Sequence, residues 1–106
     1  MLRLAQLLFA IATFLAAEWA EATDIRGRID TRNPYTGYYQ PYYGAEVMIM
    51  ALNGYQVAVS YTGPDGFYYF YGISPGAYQI VVNRTIRVPV NIPAMTGYDL
   101  GPILFQ

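Results

Sequence analysis

From Thr23 to Gln106 the sequence repeats apolar and polar residues with a period of two, and no stretch there carries a helical 3.6-residue repeat. A chain patterned this way buries its apolar side chains by forming strands that turn one face to a core and the other to solvent. Ile25, Gly27 and Ile29 alternate with Arg26 and Arg28, which defines a first strand. A second, Ala45 to Leu52, sets Ala45, Val47, Ile49 and Ala51 on one face and Glu46, Met48, Met50 and Leu52 on the other. Asn53-Gly54 then predicts a type I′ hairpin turn, in which both central residues take positive φ. The third strand runs from Tyr55 to Thr62, and Gly63-Pro64-Asp65-Gly66 turns the chain into a fourth at Phe67 to Ile73. Ser74-Pro75-Gly76 leads to a fifth at Ala77 to Val82, and Asn83-Arg84 closes a hairpin with a sixth at Ile86 to Ile92. Pro89 places that sixth strand at an edge or a bulge, because proline has no N–H for a ladder. Pro93 to Asp99 reads as a loop and Leu100 to Phe105 as the seventh strand. Asn33 to Gly44, with two Pro, two Gly and five Tyr, reads as a long loop or irregular edge. Seven short strands with frequent turns predict one all-β domain, an antiparallel sandwich.

The first 22 residues differ in kind. Arg3 precedes an apolar run from Leu4 to Ala17, and Ala20-Glu21-Ala22 follows. That is the layout of a secretory signal peptide, with a run shorter than the roughly 20 residues a membrane-spanning helix needs. Cleavage after Ala22 would leave a secreted or periplasmic domain at 23–106 with no membrane span. Its five arginines, Arg26, Arg28, Arg32, Arg84 and Arg87, balance five acids, Asp24, Asp30, Glu46, Asp65 and Asp99, for a net charge of zero. Nucleic acid is not expected as a partner, because a phosphate-binding surface needs clustered cations. The absence of cysteine rules out a disulfide framework.

The segment Asp65-Gly66-Phe67-Tyr68-Tyr69-Phe70-Tyr71-Gly72-Ile73-Ser74-Pro75-Gly76-Ala77-Tyr78-Gln79-Ile80 resembles the carboxypeptidase regulatory-like domain family, whose pattern reads Asp-Gly, an aromatic pair, Gly-Leu, Pro-Gly, Tyr. The resemblance extends upstream to Ile25-Gly27-Ile29, Gly44-Ala45-Val47-Ile49 and Thr62, and downstream to Leu100-Gly101-Ile103. It implies a seven-stranded antiparallel Greek-key β-sandwich of transthyretin-like (prealbumin-like) type, with Tyr68, Phe70, Ile73, Tyr78, Ile80 and Val82 in the core. It also implies an accessory module without chemistry of its own. Some related bacterial surface modules join a lysine to an Asn or Asp through an isopeptide bond, which a chain without lysine cannot form.

The residue inventory agrees with a non-enzymatic reading. With no His and no Cys, the usual metal ligands, general bases and thiol nucleophiles are missing. No catalytic residue, cofactor or metal site is expected, and Asp65 reads as a turn residue accepting nearby backbone N–H groups. Tyrosine is the outstanding feature, at 12 residues. Alternation turns Phe67, Tyr69 and Tyr71 outward, and Met48 and Met50 extend the stripe if they too face solvent. Tyr35, Tyr38, Tyr39, Tyr42 and Tyr43 of the loop add to it. Such a surface suits a protein partner or self-association, with a glycan as the alternative, since tyrosine also stacks on sugar rings. Equally, these rings stabilise the sheet if they only cover one another. Asn83-Arg84-Thr85 has the form of an N-glycosylation acceptor.

Overall fold

The alternation seen over Ile25–Ile29 continues in both directions through a ten-residue strand, β1 (Thr23–Arg32). This is the computed structural model of the chain, and it describes residues 22–105. The expected signal peptide therefore falls, except for Ala22, outside the described residues. After β1 come β2 (Tyr39–Pro41), β3 (Glu46–Ala51), β4 (Gln56–Tyr61), β5 (Phe67–Ile73), β6 (Gly76–Val82), β7 (Ile86–Ile92) and β8 (Gly97–Phe105). Two four-stranded sheets result. One has the order β4-β3-β6-β7, antiparallel throughout. The other is built around β1: β5 pairs antiparallel with residues 23–28, β2 pairs antiparallel with residues 30–32 on the same edge, and β8 pairs along the opposite edge. The path β4 to β5 to β6 leaves one sheet for the other and returns beside β3, which gives the sandwich its Greek-key connection.

The core lies between the sheets, where Ile25, Ile29, Val47, Ile49, Tyr68, Phe70, Ile80 and Val82 are all buried. Tyr68 and Phe70 meet edge to face at 5.7 Å, a favoured aromatic geometry. As expected, Tyr68, Phe70, Ile73, Ile80 and Val82 point inward, and Tyr78 packs on them half-buried.

The architecture differs from the sequence reading in four places, each for a local reason. The segment Asn33–Gly44 is not all loop. Asn33 folds it into a hairpin: its Oδ1 accepts from the N–H groups of Tyr35 (2.8 Å) and Thr36 (3.2 Å), and its own N–H donates to Tyr38 O (2.8 Å). The returning residues form β2, an eighth strand, whose Pro41 sits at the strand's end where no donor is required. Second, β8 begins at Gly97 and runs parallel to β1, from Asp24 opposite Gly97 to Thr31 opposite Phe105, so the domain is not purely antiparallel. Third, β8 absorbs part of the expected 93–99 loop, with Gly101 (φ +77°) at the register shift.

The fourth difference concerns the turns. At Asn53-Gly54 only Gly54 has positive φ; Gly54 N donates to Ala51 O and Ala51 N to Tyr55 O. This is a three-residue hairpin loop ending in a left-handed glycine rather than a type I′ turn. The paired positive φ values of a type I′ turn occur instead at Asn83 (49°) and Arg84 (59°), where Thr85 N donates to Val82 O. Asn83 belongs there: its Oδ1 accepts Glu46 N at 2.9 Å and its Nδ2 donates to Tyr42 Oη at 3.0 Å. Those bonds occupy the amide that the glycosylation motif would offer. Arg84 has only an exposed ion pair with Glu46, 3.2 Å, to offset its left-handed backbone. Left-handed backbone costs a non-glycine residue about 1–2 kcal/mol, and glycine's looser unfolded chain returns part of that. Arg84→Gly is therefore expected to stabilise the domain by about 0.5–1 kcal/mol, read as a higher urea midpoint at unchanged slope.

Thr62 joins the loop before β3 to the end of β4. Its buried hydroxyl donates to Tyr42 O at 2.5 Å and accepts Ala45 N at 2.8 Å, while its N–H donates to Ala45 O. These bonds satisfy main-chain groups that water cannot reach, and they position the tyrosine-rich segment.

Candidate functional site

Alternation along β1 that turns isoleucines inward turns Asp24, Arg26 and Arg28 onto the outer face of its sheet. Register then fixes their neighbours. Arg26 lies opposite Tyr69 of β5 on one side and Asp99 of β8 on the other; Arg28 lies between Phe67 and Pro102. The result is an aromatic file, Phe67, Tyr69 and Tyr71, running beside a file of charged residues.

Distances show how the two files interlock. The Tyr69 and Tyr71 rings are nearly parallel, 8° apart in plane with centroids 6.5 Å apart. Arg26 and Arg28 hold their guanidinium carbons 5.3 and 5.9 Å from the Phe67 centroid, within cation–π range. Arg26 also forms a bidentate pair with one carboxylate oxygen of Asp99, Nη2 at 2.8 Å and Nε at 3.2 Å. The other Asp99 oxygen accepts Gly101 N at 2.8 Å. That backbone bond first, and Arg26 second, hold the Asp99 carboxyl below its ordinary range. Asp24 accepts Gly72 N at 3.0 Å and so ties the end of β5 to β1. Arg28 pairs with the largely buried Asp30 at 2.7 Å.

Between these files lies a shallow groove of about 350 Å³ lined by Tyr69, Tyr71, Tyr98, Arg26, Asp24 and Asp99. An aromatic wall facing a fixed ion pair offers apolar area and directional hydrogen bonding together, the combination found where ligands and partner side chains are held.

The structure brings only part of the expected surface to this groove. Tyr69 and Tyr71 line it, exposed, and Phe67 is half-covered by the two arginines. Met48 and Met50 do not join them. They lie on the outer face of the other sheet, and Met48, between Val59 and Val81 in register, is only 9 % exposed. The reason is topological: β3 and β5 belong to different sheets, so their outer faces point away from each other. Tyr42 turns inward, packing edge to face on Phe105 at 5.2 Å. Tyr35, Tyr38 and Tyr39 are exposed at the β1–β2 hairpin, and Tyr43 is exposed before β3. The groove is at the other end of β1 from that hairpin.

Sequence reasoning did not find Asp99 or Tyr98 as site residues. Period two marked Arg26 as outward, but its partner is 73 positions away and reaches it only because β8 runs parallel beside β1. In the sequence Asp99 falls at the end of the expected 93–99 loop.

No family model and no curated protein matches the chain. Among solved structures it is similar to the crystal structure of BcpA, the major pilin subunit of Bacillus cereus, with a TM-score of 0.54 and 15% sequence identity. The match covers 79% of this chain and 29% of the pilin, so the chain spans less than a third of the protein it matches. At that identity the likeness concerns fold: both contain a β-sandwich of this kind.

Proposed function

We propose that this chain is a non-enzymatic β-sandwich module of carboxypeptidase regulatory-like type, working outside the cytoplasm and binding a protein partner through the outer face of the β1 sheet. The observation that carries the reading is the groove in which parallel Tyr69 and Tyr71 stand beside the Arg26–Asp99 pair. Tyrosine and arginine are the residues that contribute most at protein interfaces, where they bury large area at little cost in side-chain entropy. The pilin likeness supports a structural or accessory role at the cell surface. The signal-peptide pattern of the first 22 residues supports export, and the lack of His and Cys supports the absence of catalysis.

Replacing Tyr69 and Tyr71 with Ser is expected to weaken partner binding by on the order of 100-fold, while the fold loses about 1 kcal/mol or less. The check is affinity capture from the source envelope or culture medium, with both proteins melted in parallel. Equal recovery by the double variant and the parent would refute the reading. The same parallel rings favour a second one, a carbohydrate-binding module in which a sugar ring stacks on tyrosine. Binding on a glycan array that Tyr71→Ser abolishes would select it.

A further inference from the structure

Every sheet ends in strands whose outer main-chain groups need water, a cover or another strand. Among the described residues most of these edges are blunted. Strand β7 carries Pro89, β8 carries Pro102 next to the Gly101 register shift, and β2 ends in Pro41. On β5 the edge N–H groups of Phe67 and Tyr69 are taken by Asp65 Oδ1 (3.0 Å) and Ser60 Oγ (3.3 Å).

Over Ala58–Tyr61 β4 has none of these devices; its register shift lies nearer the other end, where Val57 is left unpaired between Gln56 opposite Met50 and Ala58 opposite Ile49. Gln56–Tyr61 contains no proline and no charged residue. Among the described strands it pairs with β3 alone. Because Thr62 N donates to Ala45 O, alternation directs Ser60 toward β3 and leaves the main-chain N–H and C=O of Val59 and Tyr61 on the open edge. The side chains beside that edge are apolar and solvent-facing: Val57 and Val59 are each 39% exposed, Tyr61 62%. They continue the apolar outer face of Met48 and Met50, with Met48 directly opposite Val59.

We infer that β4 pairs antiparallel with β4 of a second copy of this chain, joining two four-stranded sheets into one of eight strands. The occupant follows from the edges themselves. Among the described residues the Ala58–Tyr61 stretch is the least protected edge, and on each copy it meets its own like, so a two-fold pairing satisfies both and leaves no third site for growth. The register with its two-fold at Ser60 sets Val59 of one copy against Tyr61 of the other, twice, with each pair exchanging two main-chain hydrogen bonds. An aromatic residue opposite a β-branched one is a favourable cross-strand pair, and an uncharged strand brings no like charges together. This contact lies on a different sheet from the Tyr69–Tyr71 groove and does not rest on the partner-binding reading.

The test is sedimentation equilibrium of the purified chain over a wide concentration range, alongside Val59→Pro and Val59→Lys. Proline at Val59 removes a donor that points away from β3, so the fold tolerates it; lysine is the residue that natural edges use against pairing. The parent is expected to reach twice the chain mass, each variant to raise the dissociation constant by about tenfold or more, and Tyr69→Ser/Tyr71→Ser to leave the dimer intact. Hydrogen exchange supplies a readout that needs no variant: the Val59 and Tyr61 amides should slow as concentration rises. A parent that stays monomeric, open-ended growth in place of a dimer, a dimer indifferent to both Val59 changes, or concentration-independent exchange at those amides would each overturn the inference.

Discussion

Gly27→Ala is expected to cost about 3 kcal/mol of folding stability and to lower the melting temperature by roughly 15 °C. An added Cβ at Gly27 would stand 2.2 Å from Tyr68 Oη, 2.3 Å from Cζ and 2.6 Å from Cε1. Tyr68 lies directly across the ladder from Gly27 and is fully buried, so its ring covers the glycine as if filling the missing side chain. The ring cannot swing aside without displacing Phe70 and the isoleucines around it. Its hydroxyl is buried without a hydrogen-bond partner among the described residues, and burial pushes its pKa well above the usual tyrosine value. Cutting the side chain back should therefore relieve the clash. The double variant Gly27→Ala/Tyr68→Val is expected to lose less than the sum of the two single changes, a coupling that a double-mutant cycle in urea measures directly. Additive losses would mean that the two positions do not share the space.

Gly66→Ala should be at least as damaging, at about 3 kcal/mol or more, for a different reason. Gly66 has φ +80°, and an added Cβ would meet Ile29 O at 2.7 Å and Pro41 Cβ at 3.1 Å. Ile29 O already accepts Tyr42 N, and Ile29 N donates to Gly66 O at 2.8 Å. Here the obstacle is main chain, held by the bonds that attach the β4–β5 turn to β1. Gly54 is the internal control, because it shares a left-handed φ of +90° but has nothing within 4 Å of an added Cβ. Gly54→Ala is expected to cost only the backbone preference, about 1 kcal/mol. The difference between the two denaturation midpoints isolates the close approach; similar losses would assign the whole effect to conformation.

Much of this molecule was legible in the sequence, because period two survives wherever a strand has one dry face and one wet one. β5 and β7 have the bounds that alternation gives them, β3, β4 and β6 differ by no more than one residue at each end, and β8 starts three residues earlier. β2 was hidden because a strand of three residues, bounded by proline and glycine and exposed along its length, has no dry face to generate a pattern. The parallel pairing of β8 was hidden for another reason: strand direction is set by how the chain closes around the core, and alternation reads the same both ways. That one missing fact concealed half of the groove. Phe67, Tyr69 and Tyr71 were readable as outward, but Asp99 could not be placed next to Arg26 without it. Met48 parts from the tyrosines for a related reason: a sequence shows which residues share a strand face but not which sheet the strand enters. A type I′ turn is expected at Asn53-Gly54 because of its glycine. It formed at Asn83-Arg84, where the asparagine side chain supplies three-way bonding among β3, the turn and Tyr42.

Parallel alignment of β1 with β8 also determines how the domain answers to force. Thr23 opens β1 at one end of that ladder, and Phe105 closes β8 at the other, opposite Thr31. A pull on those two residues in opposite directions slides the strands lengthwise past each other. It loads the bonds of the ladder together instead of parting them one after another from an end, so tension along this axis meets the sandwich at its stiffest.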